Sequence, residues 1–145
     1  MSTARSFRCR LITPVAQVLD EQAVSAVVPA WDGLFGVLPN RAPIVAKLGL
    51  GELQIKFADS DKGKGGSRSF LVEDGFVQMV DNKLTILAAK AIPTESLSES
   101  DAQAELKEAE SRRPEKAGDA QRLTADKDRA RAKLRLAQKA SGRGI

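Results

Sequence analysis

The carboxylates Asp20, Glu21, Glu73 and Asp74 are the first candidates for chemistry, because acids can serve as general acid and base without any cofactor. None stands beside a nucleophile in a pattern that would activate one, so they read as solvated turn carboxylates. The chain contains no histidine. That removes the commonest general base and the commonest transition-metal ligand. A single cysteine, Cys9, can build neither a thiolate metal site nor an internal disulfide, and it reads as a small buried hydrophobe in a reducing compartment. The stretch DSDKGKGGS over residues 59–67 looks like a phosphate-binding loop but lacks the GxxxxGK[ST] spacing. A flexible hairpin loop accounts for Gly63, Gly65 and Gly66, which tolerate positive φ and have no side chain to pack. The expectation is a protein with no catalytic residue, no metal and no cofactor of its own.

The elements that carry these residues follow from composition and periodicity. With 145 residues, 42% of them hydrophobic and 29% charged, the chain has room for one globular domain and an appendage. No apolar run reaches the roughly 20 residues needed to cross a bilayer. The basic first ten residues are followed by no apolar segment of secretory type, so synthesis and function on the cytosolic side are expected.

Two regimes meet near residues 91–97, where apolar residues stop alternating and begin to recur at helical spacing. Upstream, Val24, Ala26 and Val28 alternate with their neighbours. Leu53, Ile55 and Phe57 do the same, and β-rich runs continue over residues 70–72 and 76–80. Glycine, proline and the Asp81-Asn82 pair punctuate these runs every few residues, which suits a sandwich or barrel of short strands. Downstream, Ser98 or Ser100 can cap a helix bearing Ala102, Leu106 and Ala109 on one face. Pro114 stops it, Gly118 breaks the chain, and Asp119 can cap a second helix bearing Leu123, Ala130, Leu134 and Ala137. The predicted fold is mostly β with C-terminal α. An N-terminal β-sandwich over residues 1–90 is followed by an antiparallel two-helix hairpin over residues 91–145.

Charge divides along the same line. Residues 91–119 hold eight acidic and four basic side chains, whereas residues 120–145 hold two acidic and eight basic ones. The helices should therefore attract one another modestly, since exposed ion pairs contribute about 0–1 kcal/mol each. Arg122, Arg129, Arg131, Lys133 and Arg135 make the second helix a basic surface. Together with a pI near 9.4, this leaves a nucleic-acid-binding module as the rival reading. Against it, only 4% of residues are aromatic, and no nucleic-acid-binding motif is present.

The run GLFGVLPNRAP over residues 33–43 closely resembles the GxxGxxPxHxP signature of ATP synthase epsilon subunits, through Gly33, Gly36, Pro39, Asn40 and Pro43. Arg41 stands where that family usually has histidine. A second block, EDGFVQMVDNKLTILAAKA over residues 73–91, resembles the family's closing hairpin. It keeps Gly75 and has Asp74 in place of the first glycine of a pair. Without the family, Gly33 and Gly36 bracket a short apolar segment, and Pro39 and Pro43 deny ladder donors, so the stretch should run at a sheet edge or corner. Trp31, Leu34 and Phe35 crowd large apolar side chains into it. They either plug one end of the sandwich or form a partner patch.

The resemblance implies a non-catalytic subunit of the central stalk of an F-type ATP synthase, peripheral to the cytoplasmic face of a bacterial inner membrane and not inserted in it. Its sandwich would join the gamma subunit to the c-ring, with Trp31, Asp32, Gly33, Leu34 and Phe35 facing the ring. Its hairpin would act as a brake on ATP hydrolysis, with Arg122, Arg129, Arg131, Lys133 and Arg135 reaching the alpha/beta catalytic head. Some relatives bind ATP through an I/L-D-x-x-R-A motif. Here Ser100 and Gln103 hold its aspartate and arginine positions, so the guanidinium that would pair with phosphate is missing and weak nucleotide affinity is expected.

Overall fold

The computed structural model describes residues 5–60 and 63–140. Its first strand shows the logic of the whole N-terminal part. In β1 (Phe7–Ile12), Phe7, Cys9 and Leu11 point inward and are fully buried, while Arg8 faces out. The same period of two recurs in β5 (Gly51–Phe57), which buries Leu53, Ile55 and Phe57. Between them lie the long β2 (Gln17–Ala30), the short β3 (Gly33–Val37) and β4 (Ile44–Lys47). Beyond them lie the long β6 (Ser67–Val80) and β7 (Lys83–Pro93).

The strands are hydrogen-bonded in the order β1-β7-β6-β5-β2-β3, and β1 also pairs with β2, so the path closes on itself. β1 runs parallel to β7 and antiparallel to β2. The path closes because the long strands change partners along their length. β2 pairs with β1 through its first half and with β3 and β5 through its second. β6 pairs with β5 over Gly51↔Val72 to Lys56↔Ser67, and with β4 over Ile44↔Met79 to Lys47↔Phe76. The bend in β6 falls at Asp74 and Gly75, both at positive φ. A Cβ on Gly75 would lie 1.8 Å from the Leu87 carbonyl oxygen, so only glycine fits against β7 here. Asp74, at φ 56°, occupies a left-handed position that aspartate tolerates better than most residues, which explains how it can stand in for a glycine. The core is a single cluster from Phe7 to Ala88, dominated by Phe7, Leu11, Leu53, Ile55, Phe70, Met79, Leu84 and Ile86.

The chain divides into two compact units, Met1–Ile92 and Pro93–Ile145. The second opens with a 3-10 turn (Thr94–Ser96), followed by α1 (Glu99–Ser111) and α2 (Asp119–Ala140). Ser98 caps α1, its hydroxyl accepting from the Asp101 N–H at 3.3 Å. Gly118, at φ 88°, takes the N-cap position of α2, because its carbonyl accepts the first intrahelical bond from Arg122 N–H. Asp119 lies one position further in and does not cap the helix in the expected way. Its carboxylate accepts instead from the N–H groups of Glu115 and Lys116, and so closes the turn between the helices.

The helices meet through small residues. Ala102 and Ala109 of α1, and Leu123, Ala130 and Ala137 of α2, are buried. Leu106 and Leu134 are only partly covered, while Leu136 and Ala132, on a second face of α2, are buried. The seven-four-three spacing located one buried stripe of α2; the second was hidden because α2 also packs on the 3-10 turn.

Candidate docking surfaces

The turn Trp31-Asp32 joins β2 to β3, and Gly33 at φ 134° lets the chain turn back immediately. The Trp31 N–H donates to the Lys47 carbonyl at 3.0 Å, which holds the tip against the end of β4. Trp31 and Leu34 are each 70% exposed, and Asp32 and Leu38 are exposed as well. They do not plug the sandwich. Phe35 alone turns inward, half-buried against the core cluster. The alternation follows from strand geometry, since β3 ends the strand order with Leu34, Gly36 and Leu38 on one side and Phe35 and Val37 on the other.

The segment after β3 is tied down by two side chains. Arg41 folds back so that its guanidinium lies 5.6 Å from the Phe35 ring centroid, and its Nε and Nη1 donate to the carbonyls of Gly36 and Ala42 at 3.3 Å each. Arginine at this family-atypical position thus braces both the ring and the loop. Asn82, in the tight β6–β7 turn, joins three segments. Its Oδ1 accepts from the Asn40 N–H at 2.7 Å, its Nδ2 donates to the Ser6 carbonyl at 2.8 Å, and its own carbonyl accepts from the Arg8 N–H at 3.2 Å. Asn40, Asp81 and Asn82 all have positive φ. Pro39 and Pro43 flank this loop outside any strand. Gly36 is different: its φ is ordinary and a Cβ on it would meet nothing within 4 Å, so nothing within the chain requires a glycine there.

A second surface was not foreseen. Ile12 pairs with Leu87 across β1 and β7. The two-residue turn Asp81-Asn82 sets Val80 beside Lys83, and counting back along the hairpin sets Phe76 beside Leu87. Phe76 in turn pairs with Lys47, next but one to Val45 on the same face of β4. Phe76 is 57% exposed and Leu87 is 49% exposed, and Val45 is more open still. Ile12, Leu87, Phe76 and Val45 therefore form an apolar row across the outside of four strands. Beside it, Thr13, Pro14, Leu87 and Ala89 line an open groove of about 330 Å³. The sequence did carry a signal. Phe76-Val77 and Ile86-Leu87 are consecutive apolar residues within strands, and period two sends one of each pair to the outer face.

In the hairpin, the basic side chains differ in what they touch. Lys133 reaches Glu105 of α1 at 3.0 and 3.1 Å, Arg129 reaches Asp126 at 2.9 Å, and Arg131 reaches Asp128 at 3.5 Å. Arg112, just after α1, bridges Glu108 and Asp126 at 3.0 Å each. Hydrogen bonds from Arg129 and Arg112 hold the Asp126 carboxyl below the usual carboxylate range. Arg122 and Arg135 are exposed. Ser100 shares a hydrogen bond with Ser98, and Gln103 is exposed. In the sandwich, burial pushes the Cys9 thiol up to about 12, which makes it a poor nucleophile at neutral pH. Arg8, at 2.6 Å, lowers the Asp20 carboxyl by hydrogen bonding. Among the described residues no group of three or more histidine, cysteine or acidic side chains is placed to hold a metal. No helix among them is long and apolar enough to cross a membrane.

The family model for the ATP synthase delta/epsilon chain β-sandwich domain matches residues 6–94. The ATP synthase epsilon chain of Rhodopirellula baltica is 34% identical over 104 residues, which span 72% of this chain and 77% of the relative. That of Desulfitobacterium hafniense is 33% identical over 115 residues, spanning 79% and 83%. Among solved structures, a chain of the Tetrahymena thermophila mitochondrial ATP synthase central stalk and c-ring matches in fold. Its TM-score is 0.69 at 14% identity, over 94% of this chain and 99% of that one. A domain match over more than half of the chain, on a fold that puts the signature residues in one braced loop, shows that this chain belongs to the ATP synthase delta/epsilon chain family.

Proposed function

We propose that this chain is a non-catalytic coupling subunit of the central stalk of an F-type ATP synthase, and that its sandwich clamps the gamma subunit to the c-ring. The observation that carries the reading is the pair of exposed apolar surfaces on a sandwich whose core is otherwise closed. One is the tip with Trp31, Leu34 and Leu38; the other is the row Ile12, Leu87, Phe76 and Val45. Large exposed apolar side chains in contiguous patches mark binding surfaces rather than ordinary solvent-facing positions. The tip, flanked by Asp32 and Gly33, faces the c-ring, and the row receives gamma. The assembly sits peripherally at the cytoplasmic face of a bacterial inner membrane.

The hairpin acts as a brake on ATP hydrolysis. Its small-residue seam buries few large side chains, so the closed and open forms differ by little enough to interconvert. Once α2 is free, Arg122, Arg129, Arg131, Lys133 and Arg135 meet acidic surface in the alpha/beta head. Two measurements test these roles. Leu34→Glu with Trp31→Ser should abolish co-purification with the c-ring while gamma is retained, and Phe76→Glu with Leu87→Glu should do the reverse. Reversing Arg129, Arg131, Lys133 and Arg135 to glutamate should raise ATP hydrolysis by the reconstituted complex. Unchanged association in both double variants would remove the coupling reading, and unchanged hydrolysis would remove the brake.

A further inference from the structure

We propose that Glu105 and Asp126 form a charge latch that shuts the hairpin by occupying the cations that α2 needs for an acidic partner. The inference rests on the brake reading for its consequence but on geometry alone for the latch. Lys133 of α2 reaches across to α1, where both oxygens of Glu105 lie within 3.1 Å of its Nζ. At the turn end, Asp126 of α2 is held from both sides, by Arg112 following α1 and by Arg129 one turn along α2. The two ties lie two turns apart along α2, Lys133 between the buried Ala130 and Ala137 and Asp126 between the buried Leu123 and Ala130. The seam itself is made of four alanines and Leu123, so the ionic ties set along it add appreciably to closure.

The arrangement also masks charge. In the closed hairpin, Lys133 and Arg129 are largely covered and neutralised, while Arg122 and Arg135 are exposed. An acidic partner surface must displace Glu105 before it can use Lys133. Glu105 is thus a built-in competitor for that partner, and α1 is the inhibitor of the inhibitor. Exposed pairs of this kind shift an equilibrium by at most about fivefold each, and salt weakens them. A latch of two pairs is therefore reversible.

The test uses the full chain with spin labels at Ala104→Cys and Ala140→Cys, on exposed positions of the two helices, with the buried Cys9 left in place. Glu105→Gln and Asp126→Asn remove charge without changing shape. The double variant should show at least about a threefold larger population at long interhelix distance, with helix content by circular dichroism unchanged, and 0.5 M salt should move the wild type the same way. In the reconstituted complex the same variant should lower ATP hydrolysis about twofold or more, the opposite direction to the four-residue charge reversal. An unchanged distance distribution overturns the latch, whatever hydrolysis does. If the distances open and the charge reversal raises hydrolysis, but the double variant leaves it at the wild-type rate, the masking role is overturned. If the distances open and neither variant changes hydrolysis, the brake fails while the latch stands.

Discussion

At the scale of single residues, the glycines separate folding from docking. Gly75 combines φ 137° with a neighbouring carbonyl that any Cβ would strike. Gly75→Ala should cost about 3 kcal/mol or more, read as a lowered denaturant midpoint, because strain and clash add at the corner where β6 passes from pairing with β5 to pairing with β4. Gly36 meets neither constraint, so Gly36→Ala should leave the midpoint within about 0.5 kcal/mol of wild type. If it nonetheless weakens c-ring association, the glycine serves close approach of a partner to the outside of β3. Asn82 offers a comparable separation. Asn82→Gly keeps the left-handed turn but drops the side chain that holds the Asn40 N–H and the Ser6 carbonyl, so it should speed amide exchange at Asn40 while the sheet amides stay protected. Of the two side chains that tie this loop down, Arg41 lies within the signature itself, whereas Asn82 lies 42 positions from Asn40 and was not legible as its partner.

At the scale of elements, the hairpin should respond to acid in a defined direction. The Asp126 carboxyl lies below its ordinary value when α1 and α2 are closed, through hydrogen bonds from Arg129 and Arg112. A group with a depressed folded-state value stabilises the fold above its unfolded value, near pH 3.9, and that contribution is lost as pH falls further. Closure, followed by the interhelix distance, should therefore be flat from pH 8 to about pH 5 and should weaken below about pH 4. Asp126→Asn should remove part of that acid dependence; an acid transition of unchanged size would show that other carboxylates govern it. The helices themselves were legible through Ser98, Pro114, Gly118 and one apolar stripe. Their ion pairs were legible only as net charge, since no spacing rule says that Lys133 finds Glu105 twenty-eight positions away. The expected cap at Asp119 became a turn clasp because Gly118 already supplies the first helical carbonyl.

At the scale of the whole molecule, the core cluster draws only on residues of the first unit, so that unit should stand alone. A chain of residues 1–93, cut after the last residue of β7, should melt in one cooperative transition. A domain of about 90 residues hides roughly 60–65% of its unfolded surface, which suffices for a small fold. Loss of that transition would mean that the helices complete the fold. The isolated full chain should hydrolyse no ATP, and calorimetry should detect no tight ATP binding, with Ser100 and Gln103 at the motif positions and Arg112 engaged by Glu108 and Asp126. A micromolar dissociation constant would show that other arginines had taken over.

The sequence alone determined the fold class, a β-rich first part followed by two helices, and the family, because period, turn chemistry and signature spacing are local properties of the chain. Tertiary structure decided that the strand path closes on itself, that Trp31 and Leu34 stay outside while Phe35 turns in, and that four separate strands line up one exposed apolar row. Each of these depends on register between segments far apart in the chain. A shift of one residue in any pairing would turn the same side chains to the opposite face.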